Sequence, residues 1–200
     1  MEIRLLNKRE LRRNDWNTAQ LNYSNFLSMR PNLIEILEDT LSELGVEKRI
    51  IKLDYSVESL DWLNKILPKF IKSRDLTPEE IKLTLDSMPK EHWVIIEKLI
   101  IFTPESEYLL NLVGFFIGEL LILQNPTYYW ALDKAKRSAT YKQPILWGSG
   151  IVPYLPMQIM NVVGSKIILN HIEDPELVVI HKKMVLMLDG IYNYDKSALE

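Results

Sequence analysis

Residues 103–126 read TPESEYLLNLVGFFIGELLILQNP, and the reading of this stretch decides the fold. Thr103-Pro104-Glu105 restarts the chain as a helix. Pro104 fits the first helical position because the N–H it lacks would be unpaired there in any case. Asn125-Pro126 ends the helix, since the residue before proline is pushed out of the helical region. Between these signals the segment is apolar on most faces. A bilayer span needs about 20 apolar residues. The apolar run from Tyr108 to Leu123 is shorter, and it carries Asn111 and Glu119. A carboxylate near mid-membrane costs about 2.5–3.5 kcal/mol even on the mildest scale. The stretch therefore reads as a helix at the centre of a folded core, covered on all sides.

Three residues of this helix call for neighbours. Gly114 and Gly118 lie about one turn apart. Each costs up to about 1 kcal/mol relative to Ala in a helix interior, a cost that close approach of another element offsets, so a strand or helix backbone is expected to cross over them. Glu119 is a carboxylate among apolar residues, where an unpaired charge would cost several kcal/mol. It is expected to be more than half buried and bonded to a residue between Trp130 and Lys166, with Arg137, Lys166 and the Trp130 indole as candidates. The chemical alternative is a catalytic carboxylate with a raised pKa. No second carboxylate stands at a spacing that would make a glycosidase pair.

Outward from this helix, the first third of the chain reads as helical. Trp16, Ala19, Tyr23, Phe26 and Leu27 recur at helical spacing, Arg30-Pro31 interrupts them, and Leu33, Ile34, Leu37, Leu41 and Leu44 form a second stripe closed by Gly45. Residues 50–54, IIKLD, read as a short strand. Ser56 caps a helix with Val57, Leu60, Leu63, Leu67 and Phe70 as its buried positions, and Pro68 stops or kinks it. Thr77-Pro78-Glu79-Glu80 is a capping box, the clearest helix start in the chain. The apolar run Trp93–Phe102 is assigned to a helix. Beyond the central helix, Tyr128–Leu132 and Thr140–Trp147 read as two strands around the polar turn Asp133–Ser138. Gly148-Ser149-Gly150 makes a turn, Pro153–Val163 a helix, and Asp174-Pro175 starts a last helix with Leu177, His181, Met184 and Leu188 on its buried side. The fold class that follows is α+β: a small, mainly antiparallel sheet covered by several helices, in one domain spanning residues 1–200. Residues 1–48 form a helical N-terminal portion, and residues 75–102 a helical insertion.

Composition narrows function by exclusion. The 200 residues contain no Cys, which removes thiolate metal sites, disulfides and a cysteine nucleophile. Five Trp and nine Tyr argue for an ordered core. A net charge of -3 gives no overall basic surplus, so no nucleic-acid partner is read from it. The N-terminal residues MEIRLLNKRELRR lack the apolar core of a secretory signal, and a cytoplasmic location is expected.

The remaining constellations read as structural. His92, His171 and His181 match no zinc spacing, even when Glu173 and Asp174 are added. Ser149 is flanked directly by glycines, whereas the hydrolase elbow needs Gly-x-Ser-x-Gly. No metal and no cofactor are expected. Glu35, Glu38, Asp39 and Glu43 form an acidic stripe away from the apolar stripe of their helix. The stripe is either a solvated face or a docking surface for a basic partner.

The segment IIKLDYSVESLDWL at 50–63, together with Gly114-Phe115-Phe116-Ile117-Gly118-Glu119 and Trp130, resembles a broad group of uncharacterised bacterial domains. In that group a short strand ending in Asp-Tyr-Ser leads into a Ser-Leu-x-x-Leu helix. A later helix carries Gly-x-x-x-Gly-Glu, followed by a Trp-bearing strand, a second strand and a Pro-led helix. Pro144 falls in the second strand here and Pro153 leads the helix. Some members look like immunity proteins of bacterial toxin systems. The resemblance spans about residues 50–165 and departs at 75–102 and in the N-terminal helices. It implies an α+β core with Glu119 in a structural role, and no reaction. The expected function is protein binding, most concretely immunity against a basic toxin. The alternatives are an enzyme using Glu119, or an adaptor of a phage or secretion system.

Overall fold

The structure is a computed structural model that describes residues 15–87, 101–138, 140–150, 152–172, 174 and 176–191. In chain order the elements are α1 (Trp16–Met29), α2 (Leu33–Glu43), α3 (Val57–Ile66), β1 (Ser73–Arg74), α4 (Pro78–Ser87), β2 (Ile101–Phe102), α5 (Pro104–Gln124), β3 (Tyr129–Leu132), β4 (Pro144–Trp147), α6 (Pro156–Ile168) and α7 (Glu176–Leu188). The chain is α+β, with helices dominant and two small antiparallel sheets.

Helix α5 is the centre. It is long and apolar enough to cross a membrane by length and composition, but 72% of its most apolar window is buried by the rest of the chain. Leu109 through Gly118 are all buried, as are Leu120 and Leu121. Helix α6 is its most extensive neighbour. Helices α2 and α7 and strand β2 also pack on it, and α7 in turn packs on α3. The start of α5 is fixed locally, because Thr103 Oγ1 accepts from Ser106 N at 3.3 Å.

The other local start signals act in the same way. Ser56 Oγ accepts from Ser59 N at 3.1 Å and opens α3. At α4 the capping box is reciprocal, with Glu80 N donating to Thr77 Oγ1 at 3.2 Å and Thr77 N to Glu80 Oε2 at 3.0 Å. Arg74 adds two donors to the same carboxylate, and together these bonds hold the Glu80 carboxyl down at about 2. Arg30, Pro31 and Asn32 form a single 3₁₀ turn between α1 and α2, so Pro31 occupies that turn rather than the first turn of α2. Gly45 follows α2 with φ of +95°, the left-handed conformation that a side chain disfavours.

Five sequence expectations are corrected. Residues 50–54 form no strand: a 3₁₀ turn covers Lys48–Ile50, Ile50 is exposed, and Ile51–Leu53 run without a pairing partner among the described residues. An alternating pattern cannot supply the second chain that a strand needs. The expected single sheet is instead two separate pairs, β1 with β2 and β3 with β4. Ile101-Phe102, assigned to a helix, is strand β2; residues 93–100 of that run lie outside the described residues. The second long strand shrinks to Pro144–Trp147, because Thr140–Gln143 fold back as a turn. In α1 the buried side is Ala19, Asn22, Phe26 and Met29, and Leu27 is exposed.

The β3–β4 pair has Trp130 opposite Leu146 and Tyr129 opposite Trp147. Period-two alternation puts Trp130 and Leu146 on the core side and leaves Tyr129 exposed. A bridge from Leu146 to Tyr154 extends β4 toward α6. The buried Tyr154 hydroxyl donates to the Gly114 carbonyl of α5 at 2.9 Å, and burial pushes its pKa up.

Candidate functional site

The polar cluster of the core forms around Glu119. Its Oε1 accepts from the Trp130 indole N–H at 2.7 Å and from Arg30 Nε at 2.5 Å, and Oε2 accepts from Arg30 Nη2 at 3.1 Å. The Glu119 side chain is 12% exposed and that of Arg30 31%. The pair is therefore a bidentate ion pair at the edge of the core, with the cation partly hydrated. Trp130 supplies the partner expected from the following strands. Arg137 and Lys166 do not: Arg137 is exposed on the β3–β4 turn, and Lys166 binds both oxygens of Glu176 at 2.8 and 3.0 Å. The cation comes instead from the break between α1 and α2.

Aromatic rings enclose the pair. Phe26 lies 4.2 Å from Phe115 and meets Trp130 edge-on at 4.8 Å, centroid to centroid. Tyr55 stacks on Phe116 at 4.8 Å and takes a left-handed backbone with φ of +55°. Burial, reinforced by the Glu119 charge and opposed by Arg30, pushes the Tyr55 hydroxyl up to about 12. The Tyr55 hydroxyl therefore keeps its proton at ordinary pH.

The two glycines are explained by two different neighbours. A Cβ on Gly114 would lie 2.9 Å from Met160 Cγ and 3.2 Å from the Pro156 carbonyl, so the first turn of α6 crosses there. A Cβ on Gly118 would overlap the six-membered ring of Trp130. This corrects the expectation of a backbone crossing at Gly118, where a side chain held by the adjacent Glu119 fills the space.

The acidic stripe faces outward on α2, whose opposite face buries Leu33, Leu37 and Leu41. Glu35, Asp39 and Glu43 are exposed and Glu38 is half-buried. Lys48 pairs with Asp39 at 2.7 Å, and the charges of Glu38 and Glu35 also favour its protonated form. An open groove of about 430 Å³ runs along α6, lined by Gln158, Asn161, Val162, Ser165, Lys166 and Leu169.

No metal cluster of three or more His, Asp or Glu exists among the described residues. His171 is exposed and Asp174 accepts from Asn64, while His92 and Glu173 lie outside the described residues. Ser149 Oγ donates to the Leu188 carbonyl at 3.3 Å, which makes the glycine turn a clasp on the end of α7. His181 is buried, with Nε2 donating to Gln124 Oε1 at 2.9 Å and Nδ1 without a hydrogen-bond partner among the described residues.

The chain matches no protein-family model, no curated protein and no solved structure.

The state of His181 has a measurable consequence. Burial, followed by the charge of Lys182, lowers its pKa. A depressed histidine contributes stability that is present above its unfolded pKa of about 6.5 and is lost as pH falls from there toward the folded value, because the unfolded chain takes up the proton first. Urea midpoints measured from about pH 8 down to about pH 5 should therefore be level and then decline. His181→Leu should flatten the decline. An equal slope in the variant would assign it to other groups.

Sequence reasoning missed Arg30 and Tyr55. For the first, the available signal was a cation at the Arg30-Pro31 interruption between two helices.

Proposed function

We propose that this chain is a protein-binding module whose α2 face docks a basic partner, most concretely an immunity protein that neutralises a bacterial toxin. The reading is supported by the way α2 is mounted. Its apolar side is buried against the core, with α5 its main neighbour, while Glu35, Glu38, Asp39 and Glu43 hold a negative strip on the other side. A charged face on a fixed helix needs no reorganisation on docking, and complementary charge raises association rates by about 10–10³-fold. The alternative of an enzyme built on Glu119 has less support, because both oxygens of that carboxylate are engaged by Arg30 and Trp130.

The test uses a basic partner protein recovered by pull-down with the full chain. Glu35→Lys with Asp39→Lys should lower the association rate at least about tenfold at low salt and leave a smaller difference at high salt, with the melting temperature unchanged. An unchanged rate and salt slope would remove α2 from the interface. Turnover of a small molecule that depends on Glu119 would overturn the reading as a whole.

A further inference from the structure

The two edges of the β3–β4 pair are finished differently. Leu146 stands opposite Trp130 and Pro144 opposite Leu132. Asp133 N donates to the Gln143 carbonyl at 3.0 Å, so the hydrogen bonds across the pair fall at Asp133, Ala131 and Tyr129 and skip Leu132 and Trp130. The backbone groups of the skipped residues point away from the opposing strand. On β4 those outward groups are closed off. Leu146 N donates to the Tyr154 carbonyl at 3.0 Å, Tyr154 N donates to the Leu146 carbonyl at 2.8 Å, and Pro144 has no N–H to offer.

On β3 they are open. The outward N–H and C=O groups of Trp130 and Leu132 have no hydrogen-bond partner among the described residues, and β4 is the only described element that packs extensively on β3. Tyr129 is exposed, and Ala131 and Leu132 are half-buried. Edge strands are ordinarily blunted by a charge, a proline or a bulge. Residues 129–132, YWAL, carry no charge and no proline, and their register with β4 is unbroken.

This open edge is complementary to itself. It offers two donors and two acceptors on alternate residues. A second β3 lying antiparallel, with Ala131 facing Ala131, satisfies all of them: Trp130 of each copy exchanges both its bonds with Leu132 of the other. The twofold axis then passes at Ala131, a position without hydrogen bonds, where facing Cα atoms come to about 4.5 Å and a side chain must meet its own copy. The smallest side chain of the strand stands there. Charge fits the same orientation. An antiparallel pair sets the β3–β4 turn of one copy beside the start of β3 in the other. The turn presents Lys134, Lys136 and Arg137, which are exposed and have no ion pair among the described residues. Near the start of β3 lies Asp189, held among the described residues by neutral donors, Tyr128 Oη at 2.5 Å and Asn125 Nδ2 at 3.3 Å. A parallel pair would set the two basic turns side by side. Any extended segment can use the backbone groups, but a second β3 also puts the small residue on the axis and brings opposite charges to the same end. We propose that the chain forms a twofold dimer through β3, joining two β3–β4 pairs into one four-stranded antiparallel sheet. The dimer does not depend on the docking surface assigned to α2.

The chain has no Cys, so a single introduced thiol reports the axis. With oxidised glutathione, Ala131→Cys should give a covalent dimer on a non-reducing gel, since a disulfide spans Cα atoms about 4.4–6.8 Å apart. Lys183→Cys, exposed on α7, should stay monomeric. Sedimentation of the parent over a concentration series should approach twice the mass of the chain. Ala131→Lys sets like charges against each other on the axis and should weaken the dimer about fivefold or more, with the circular dichroism spectrum unchanged. Leu132→Pro removes an outward N–H without touching a bond to β4, and should leave a monomer. If the proline variant does not fold, Ala131→Lys alone decides. A parent that stays monomeric up to its solubility limit, an Ala131→Cys variant that cross-links no faster than Lys183→Cys, or an Ala131→Lys variant that dimerises as the parent does each overturns the assignment.

Discussion

Gly118→Leu should abolish the native fold or lower its stability by about 3 kcal/mol or more, the upper part of the range for overpacked cores. For a chain of this size that is a fall of roughly 6–12 °C in melting temperature. The argument does not rest on crowding alone. The atoms in the way belong to Trp130, whose indole N–H is tied to Glu119 and whose ring is wedged edge-on against Phe26 and Phe115. It cannot rotate away without breaking that hydrogen bond. Gly118→Ala separates this account from a simple one based on helix propensity. Propensity predicts a gain of up to about 1 kcal/mol, whereas the overlap predicts a loss. Gly114→Ala should be milder, since it meets Met160, a flexible side chain, and Pro156 at 3.1–3.2 Å. Thermal melts of the two alanine variants check the order. A Gly118→Ala variant as stable as the parent would mean that Trp130 is not fixed over α5.

Glu119→Ala is expected to destabilise by about 2–4 kcal/mol, because it leaves the Trp130 N–H buried without an acceptor and removes the counter-charge of Arg30. The figure lies below the full cost of breaking a deeply buried pair because Arg30 retains contact with water. Glu119→Gln keeps an acceptor for the indole and should cost about half as much. Replacing the pair together, Arg30→Met with Glu119→Leu, should recover part of the loss, since two apolar side chains leave no uncompensated charge. Chemical denaturation of the parent, Arg30→Met, Glu119→Leu and the double variant gives the coupling energy. A double variant that loses the sum of the single losses would show that Arg30 and Glu119 act independently.

What could be read from the sequence divides by distance along the chain. The caps at Ser56, Thr77 and Thr103 involve groups three residues apart, and the residues themselves announce the geometry. The central position of α5 was legible because a helix apolar on most faces has few other places to go. The Trp130 partner of Glu119 was within reach of reasoning, being 11 residues away on the next element. Arg30 was not, at 89 residues, since nothing in a local pattern says which helix end will lie over which carboxylate. The strand expected at residues 50–54 failed for the same reason. Alternation describes one face of a strand, but pairing is a property of two segments. The sheets that do form involve strands of two and four residues, too short to register as periodicity.

Helix α7 is fastened at both ends by residues far upstream. At its start, the Asn64 side chain accepts from Leu177 N at 3.3 Å and donates to Asp174 at 3.2 Å, a link across 113 residues for the first of these bonds. At its end, Gly150 N and Ser149 Oγ both donate to the Leu188 carbonyl, and Tyr128 and Asn125 bind Asp189. The bonds that hold α7 thus belong to α3, the end of α5 and the turn after β4, so substitutions at Asn64 or Ser149 should loosen this helix without touching its own sequence.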